Sequence, residues 1–323
     1  MNSISRRTFL AGSAGAAALA LTACGGSGSS DASGDKTYKI GVLQLTQHAA
    51  LDAANEGFVE ALDASGIKYT IDQQNANNDQ SACATIASKL VGDGDDLIFA
   101  IATPAAQAVA AATNDIPIVG SAITDYAASG LVADNDKPGG NLTGTSDMNP
   151  VDDQIAMLQK VLPEAKHIGM LYCTAESNSQ LQIEMAEAAC DKAGLTTERF
   201  TVSSSNEIQS VVESMVGKVD AGYSPTDNTI AAAAAQVGQI AKEGKLPFIT
   251  GEENMCMGMG ICTVSIDYKE LGKMAGEMAV KILKGEDTPA NMAIETETGD
   301  QLQTIKNEEM AEALGIDLSV LDA

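Results

Sequence analysis

Six consecutive apolar residues, Leu97 to Ala102 (LIFAIA), run directly into Thr103-Pro104 and an alanine-rich stretch ending at Thr113. A short apolar run without polar alternation reads as a strand buried on both faces, as in a parallel sheet covered by helices. Thr103 followed by Pro104 is a helix start: a hydroxyl that can cap, then a residue with no N–H to satisfy. Alanine propagates the helix behind it. The unit leaves helix N–H groups beyond the strand's carboxyl end, a place for a small anion such as a carboxylate. A capped helix with nothing bound satisfies the same residues, so this stretch alone does not choose.

The pattern recurs along the chain. Strands are expected at 38–45, 69–73, 97–102, 116–122 and 142–146, with helices at 49–65, 81–91 and after Pro104. Asp79 or Ser81 is expected to cap the second helix. After Asn149-Pro150 the cycle restarts, with helices at 151–162, 177–193, 208–216 and 229–244. The matching strands are expected at 167–173, 195–202, 221–224, 247–250 and 262–266. A long amphipathic helix, 268–284, ends at Gly285, and a last helix spans 308–314. Two sets of βα units predict an α/β chain of two doubly wound parallel-sheet (Rossmann-like) lobes joined by a hinge. Ligands of such sheets sit beyond the carboxyl ends of the strands, so the gap between the lobes is the expected site.

The first 23 residues read as an export signal. Ser5-Arg6-Arg7-Thr8-Phe9-Leu10 has the twin-arginine form, and Ala11 to Ala20 is too short for a permanent membrane span. Leu21-Thr22-Ala23-Cys24 resembles the bacterial lipobox, which makes Cys24 the expected lipidation site and residues 24–35 a flexible linker. Without Arg6 and Arg7 the chain carries 17 basic against 44 acidic residues, a net charge of −27. Such a field excludes nucleic acid as a partner and disfavours lying flat on anionic lipid. Five cysteines follow Cys24: Cys83, Cys173, Cys190, Cys256 and Cys262. The odd number leaves at least one thiol unpaired; Cys256 and Cys262 are close enough in sequence to bridge a turn, and Cys173 and Cys190 are expected to lie too far apart.

The motifs ALDAANEGF, LIFAIATPAAQA, IPIVGSAITD, KPGGNLTGTSD, GYSPTDNT and SIDYKELGKMAGEMAVKILKG, in this order, resemble the ABC-transporter substrate-binding proteins of the tryptophan/tyrosine type. The resemblance spans residues 38–315. It implies a type I periplasmic-binding-protein fold, with residues 36–146 and 267–289 in one lobe and 147–266 and 290–323 in the other. It also implies an amino-acid ligand, aromatic or large and apolar, a membrane permease as partner, and no cofactor.

A free amino acid needs donors for its carboxylate, anions or carbonyls for its ammonium, and an apolar wall. The first lobe offers donors in Thr103 and, after the fourth strand, Ser121, Ala122 and Thr124. The resemblance supports this set, because related branched-chain amino-acid binding proteins hold the carboxylate with similar groups. The second lobe offers acids, Asp227 and Glu252 at strand ends and Glu176 in a loop. Each also reads as a solvated loop acid, and Asn228 as a helix cap. Gln44, His48, Met148, Tyr172 and Tyr268 are candidates for the side-chain wall, while Asp125 and Asp147 read as shaping the hinge and rim.

The run Met255 to Cys262 (MCMGMGIC) reads either as a soft-metal site or as a turn with a local disulfide and packed methionines. Catalysis has little support: there is no Gly-x-Ser-x-Gly elbow, no paired zinc histidines and no P-loop. The expectation is a lipid-anchored, extracytoplasmic binding protein of an importer. A sensory binding protein and a thiol or metal protein are the alternatives.

Overall fold

The apolar run Leu97–Ile101 is a strand with every side chain buried, at the centre of a five-stranded parallel sheet. The computed structural model describes residues 36–322. The export signal, Cys24 and the linker lie outside the described residues.

The first lobe is built from β1 (Thr37–Gln44), α1 (Ala49–Ser65), β2 (Lys68–Asn75), α2 (Gln80–Asp93), β3 (Leu97–Ile101), α3 (Thr103–Ala112), β4 (Ile118–Ile123) and β5 (Leu142–Ser146). Its strands lie in the order β2-β1-β3-β4-β5, the open order of right-handed βαβ crossovers. The second lobe contains α4 (Val151–Val161), β6 (His167–Cys173), α5 (Ser177–Lys192), β7 (Thr196–Val202), α6 (Ile208–Met215) and β8 (Ala221–Ser224). It continues through α7 (Asn228–Ala231), α8 (Ala234–Gly244), β9 (Phe248–Thr250), α9 (Glu253–Met259) and β10 (Cys262–Ser265). After α10 (Tyr268–Lys284), β11 (Gln303–Lys306) and α11 (Glu308–Leu314) close the second lobe. Its sheet has the order β11-β10-β9-β8-β6-β7, with β11 antiparallel on the edge.

Helix α10 follows the second sheet in sequence yet packs on α1 of the first lobe. Glycines make that approach possible. A Cβ on Gly272 would stand 1.9 Å from the Ala54 carbonyl oxygen, and one on Gly57 would stand 2.0 Å from that of Lys269. The Asp267 carboxylate caps α10 by accepting from the amides of Lys269 and Glu270, and Gly285 ends it in the left-handed conformation. Beneath α1, the Phe58 and Phe99 rings stack with centroids 3.8 Å apart.

The chain passes between the lobes at Asp147–Pro150, at Ile266–Asp267 and again after Thr296, and hydrogen bonds tie these passages together. The Ile266 amide donates to Asn149 Oδ1 at 3.0 Å, and the Asp267 amide donates to Glu297 Oε2 at 2.7 Å. Residues 290–296 run beside the first sheet: the Ser146 amide donates to the Glu295 carbonyl at 2.8 Å, and the Glu295 amide to that of Gly144 at 3.1 Å. The third passage therefore follows Thr296 and not residue 289, because this segment bonds to β5.

Three local expectations are corrected. Ala102, at a left-handed φ of 83°, holds the N-cap position of α3; Thr103 is the first helical residue, and its buried hydroxyl makes no hydrogen bond. The expected helix 229–244 breaks between α7 and α8, an offset that seats Gly238 against the Gly258 carbonyl. The Met/Cys run is mostly helix, capped by Glu252, and Cys256 and Cys262 are free buried thiols, as are Cys83, Cys173 and Cys190.

Candidate functional site

Asp147 leaves β5 at the first passage between lobes and is buried. Tyr268, held at the start of α10 by the Asp267 cap, donates its hydroxyl to Asp147 Oδ2 at 2.8 Å. Asp147 Oδ1 has no hydrogen-bond partner. Burial pushes the Asp147 carboxyl up to about 6, tempered by the Tyr268 and Thr124 hydroxyls.

Around this pair lies a small cavity of about 10 Å³ between the lobes, room for about one water. His48, Leu51 and Ala122 line it from the first lobe, and Thr226, Asp227, Asn228 and Ala231 from the second, with Asn178, Glu252 and Met255 completing that wall. His48 enters because β1 ends at Gln44 and α1 starts only at Ala49, and its side chain makes no capping bond. Ala122 enters because the β4–β5 register slips between Gly120 and Ile123, where Ala122 takes a left-handed φ of 56°.

Buried polar side chains without partners are rare in folded proteins. Here Asp147 Oδ1, Asn178 Oδ1 and His48 Nδ1 are all of this kind, and all three residues line the one cavity. Each unpaired atom can accept a hydrogen bond: a carboxylate oxygen, an amide oxygen whose partner Nδ2 donates to the Thr226 carbonyl at 3.0 Å, and an imidazole nitrogen.

The two other acids of the cavity are helix caps. Asp227 accepts from the Cys173 amide at 2.6 Å and the Ile230 amide at 2.9 Å. Glu252 accepts from the Asn254 and Met255 amides, both at 2.6 Å. Burial, and then the neighbouring Glu176 carboxylate, push Asp227 up to about 8; burial pushes Glu252 up to about 7. Glu176 is buried behind them, accepting from the amide and side chain of Asn228 and from the amide and hydroxyl of Thr229 at 2.6–3.0 Å. It borders a second, outer cavity of about 390 Å³ at the cleft rim, as does Pro104.

Of the sequence candidates, His48, Ala122, Asp227, Asn228, Glu252 and Tyr268 thus converge on the inner cavity, as does Asp147, which was read as shaping the hinge. The others are placed elsewhere. Gln44 turns to the Thr46 carbonyl and Asp52 Oδ1, and the Ser121 hydroxyl accepts from Thr145 beneath the sheet. Thr124 does not line the cavity, but its hydroxyl supports Asp147 and accepts from Gln182, and Met148 sits in the hinge passage. Tyr172 is buried on the far side of β6, where its hydroxyl accepts from Arg199 at 3.3 Å; strand alternation carries it away from the cleft. Thr103 lies outside the inner cavity, so the strand–turn–helix of α3 frames the rim. Sequence reading gave no sign of Asn178, Leu51, Ala231 or Met255 as wall residues.

Bonds across the cleft hold the lobes together. His48 Nε2 lies 3.1 Å from Asn228 Oδ1. Asn78 donates to the Thr229 hydroxyl and Gln80 to the Ala175 carbonyl, each at 2.9 Å. Gln182 reaches Thr226 Oγ1 at 2.6 Å and Thr124 Oγ1 at 3.3 Å.

Two α/β lobes closing on a small polar cavity beneath a tied hinge define a solute-binding protein of the type I periplasmic fold. The comparisons with known proteins make this specific. Residues 39–320 match the family described as ABC transporter substrate binding protein, and the chain belongs to that family. Its members are extracytoplasmic binding components of ABC transporters, and they are not enzymes. A tyrosine-binding protein of Clostridioides difficile (strain R20291) is 39% identical over 305 residues, 91% of this chain and 88% of that one. The crystal structure of a Streptococcus pneumonia ABC domain in complex with L-Trp superposes with a TM-score of 0.85 at 41% identity, covering 89% of this chain and 98% of that one. The ligand-free, open structure of a Clostridium difficile substrate-binding protein with adhesive properties gives a TM-score of 0.66 at 42% identity, covering 87% and 95%.

Proposed function

We propose that this protein captures an aromatic amino acid between the lobes, at the residues that line the inner cavity and that part to admit it, and delivers it to an ABC permease. The observation that carries the reading is the convergence of three unpaired acceptors, Asp147 Oδ1, Asn178 Oδ1 and His48 Nδ1, on one interlobe cavity. A buried carboxylate with a free oxygen is suited to a ligand ammonium, which supplies both charge and donors. Leu51, Ala231 and Met255 offer the apolar surface that a large side chain requires. The relatives' ligands, tyrosine and L-Trp, support the same class.

The lobes stand in the arrangement suited to retention. At nearly equal identity, the chain superposes better on the L-Trp complex than on the ligand-free, open relative. The bonds from His48, Asn78, Gln80 and Gln182 to the opposite lobe support the same reading. A ligand that contacts both lobes and the hinge shifts the population toward this state. Isothermal titration with L-tyrosine, L-tryptophan and L-leucine tests the assignment; saturable one-to-one binding of the aromatic pair is expected, and no heat from either refutes it.

Anchoring is part of the proposal. The lipobox-like Leu21-Thr22-Ala23-Cys24 supports cleavage before Cys24 and lipidation of its thiol. Metabolic labelling with a fatty-acid analogue is expected to mark the wild-type chain and not Cys24→Ala.

A further inference from the structure

His48 reaches across the cleft to Asn228, and the partners of Asn228 fix which of its atoms faces the ring. Asn228 Nδ2 donates to Glu176 Oε2 at 2.6 Å, which leaves Oδ1 toward His48 Nε2 at 3.1 Å. An amide oxygen has no proton to give, so Nε2 must carry the hydrogen of that bond. Glu176 holds the amide in this orientation because its oxygens also accept from the Asn228 and Thr229 amides and the Thr229 hydroxyl. Burial holds the imidazole below its ordinary range, which favours the neutral ring. In the neutral tautomer with hydrogen on Nε2, Nδ1 is a bare acceptor, and it is buried without a partner.

The position of that acceptor bears on what it reads. His48, the extended residue that precedes α1, lines the cavity beside Leu51 of the first turns of α1, and Asn228 and Ala231 of α7 line it opposite. This end of the cavity joins apolar surface to one neutral acceptor. The acid with a free oxygen, Asp147, belongs instead to the hinge beside Tyr268. Asp147 lines the same cavity, so a ligand whose ammonium meets it and whose side chain packs on Leu51 and Ala231 comes within reach of His48.

Building on the aromatic amino-acid reading above, we propose that His48 Nδ1 accepts a hydrogen bond from the ligand's side chain and selects side chains that carry a donor. Tyrosine offers its phenol O–H and tryptophan its indole N–H; phenylalanine offers neither and leaves Nδ1 buried and unpaired. One such unmatched group disfavours the wrong ligand by about tenfold to a hundredfold.

Titration calorimetry of the wild type and of His48→Phe with L-tyrosine, L-tryptophan and L-phenylalanine tests this. The wild type is expected to prefer tyrosine and tryptophan over phenylalanine by at least about tenfold. In His48→Phe that preference is expected to collapse toward one, on top of any uniform loss from the missing bond to Asn228. Because the substitution also removes the bond to Asn228, nitrogen-15 NMR of the wild-type imidazole supplies a second readout. Nδ1 is expected to resonate as a bare nitrogen and to shift on adding tyrosine but not phenylalanine. Equal wild-type affinity for all three, an equal loss for all three in His48→Phe, or a protonated Nδ1 overturns the selectivity role and leaves the amino-acid function standing. Failure of the wild type to bind any of them overturns both.

Discussion

The Tyr268 hydroxyl and Asp147 Oδ2 meet at 2.8 Å, and the two residues stand at different passages of the chain between the lobes. The bond joins the first residue of α10 to the residue that follows β5, so it braces the hinge while leaving Asp147 Oδ1 unpaired. Tyr268→Phe keeps the ring in place and removes the brace. Removing one hydrogen bond to a buried carboxylate costs about 1.5–3 kcal/mol, so amino-acid affinity is expected to fall by roughly tenfold or more while the far-ultraviolet circular dichroism stays unchanged. Unaltered affinity would show that the tyrosine does not set Asp147.

Acid is expected to weaken binding. Asp147 is raised to about 6 and Glu252 to about 7 in the ligand-free chain, so below those values the cavity is increasingly neutral. An incoming ammonium favours the ionised carboxylates and releases protons, so affinity rises as pH rises through 6 and 7. Affinity measured at pH 5 is expected to be about tenfold lower than at pH 7.5, with an observed heat that depends on the buffer's ionisation enthalpy. A flat profile contradicts the role of these acids.

The same shifts act on the stability of the ligand-free protein with the opposite sign. A carboxyl whose folded pKa is raised contributes most at low pH and loses that contribution as pH climbs through its folded value. Asp227 at about 8 and Glu252 at about 7 therefore predict a melting temperature that falls by about 4 °C or more between the ordinary carboxylate range and about pH 8 and levels off above it. His48, lowered by burial, acts in the opposite direction: the unfolded chain takes up its proton first, so its contribution is lost as pH drops below about 6.5. Asp227→Asn is expected to flatten the alkaline slope, and a slope that persists unchanged would assign it to other groups.

Gly272 is where the fold holds the first lobe together. Even the smallest side chain there would collide with the Ala54 carbonyl, so α10 must move away from α1. Gly272→Val is expected to destabilise by about 3 kcal/mol or to prevent folding, whereas Gly92→Ala, which meets nothing within 4 Å, is expected to be neutral or slightly stabilising. Equal midpoints for the two variants in urea would contradict the close helix contact.

Much of this architecture was legible in the residues. The bounds of α10 follow from Asp267 at one end and Gly285 at the other, and α11 from Asn307 and Gly315, because caps and left-handed glycines are local chemistry. Helix α9 was hidden: its Met and Gly content carries no helical stripe, and only Glu252 and the two amides it accepts reveal its start. The cavity was half legible. His48, Asp227 and Glu252 follow strand ends, a position set by topology. Asp147 and Asn178 acquire their roles from where the chain crosses between lobes and from partners distant in sequence, which no local pattern encodes. Tyr172 shows the converse: it stands near a strand end, but β-alternation turns it to Arg199.

The account rests on Asp147 as the anchor for a ligand ammonium, and Asp147→Asn reads that directly, since it keeps shape and removes charge. Calorimetric titration with L-tyrosine and L-tryptophan is expected to give one-to-one binding by the wild type and an affinity lower by about 30-fold or more in the variant, as for a buried charge losing its partner. Wild-type affinity in Asp147→Asn would contradict it.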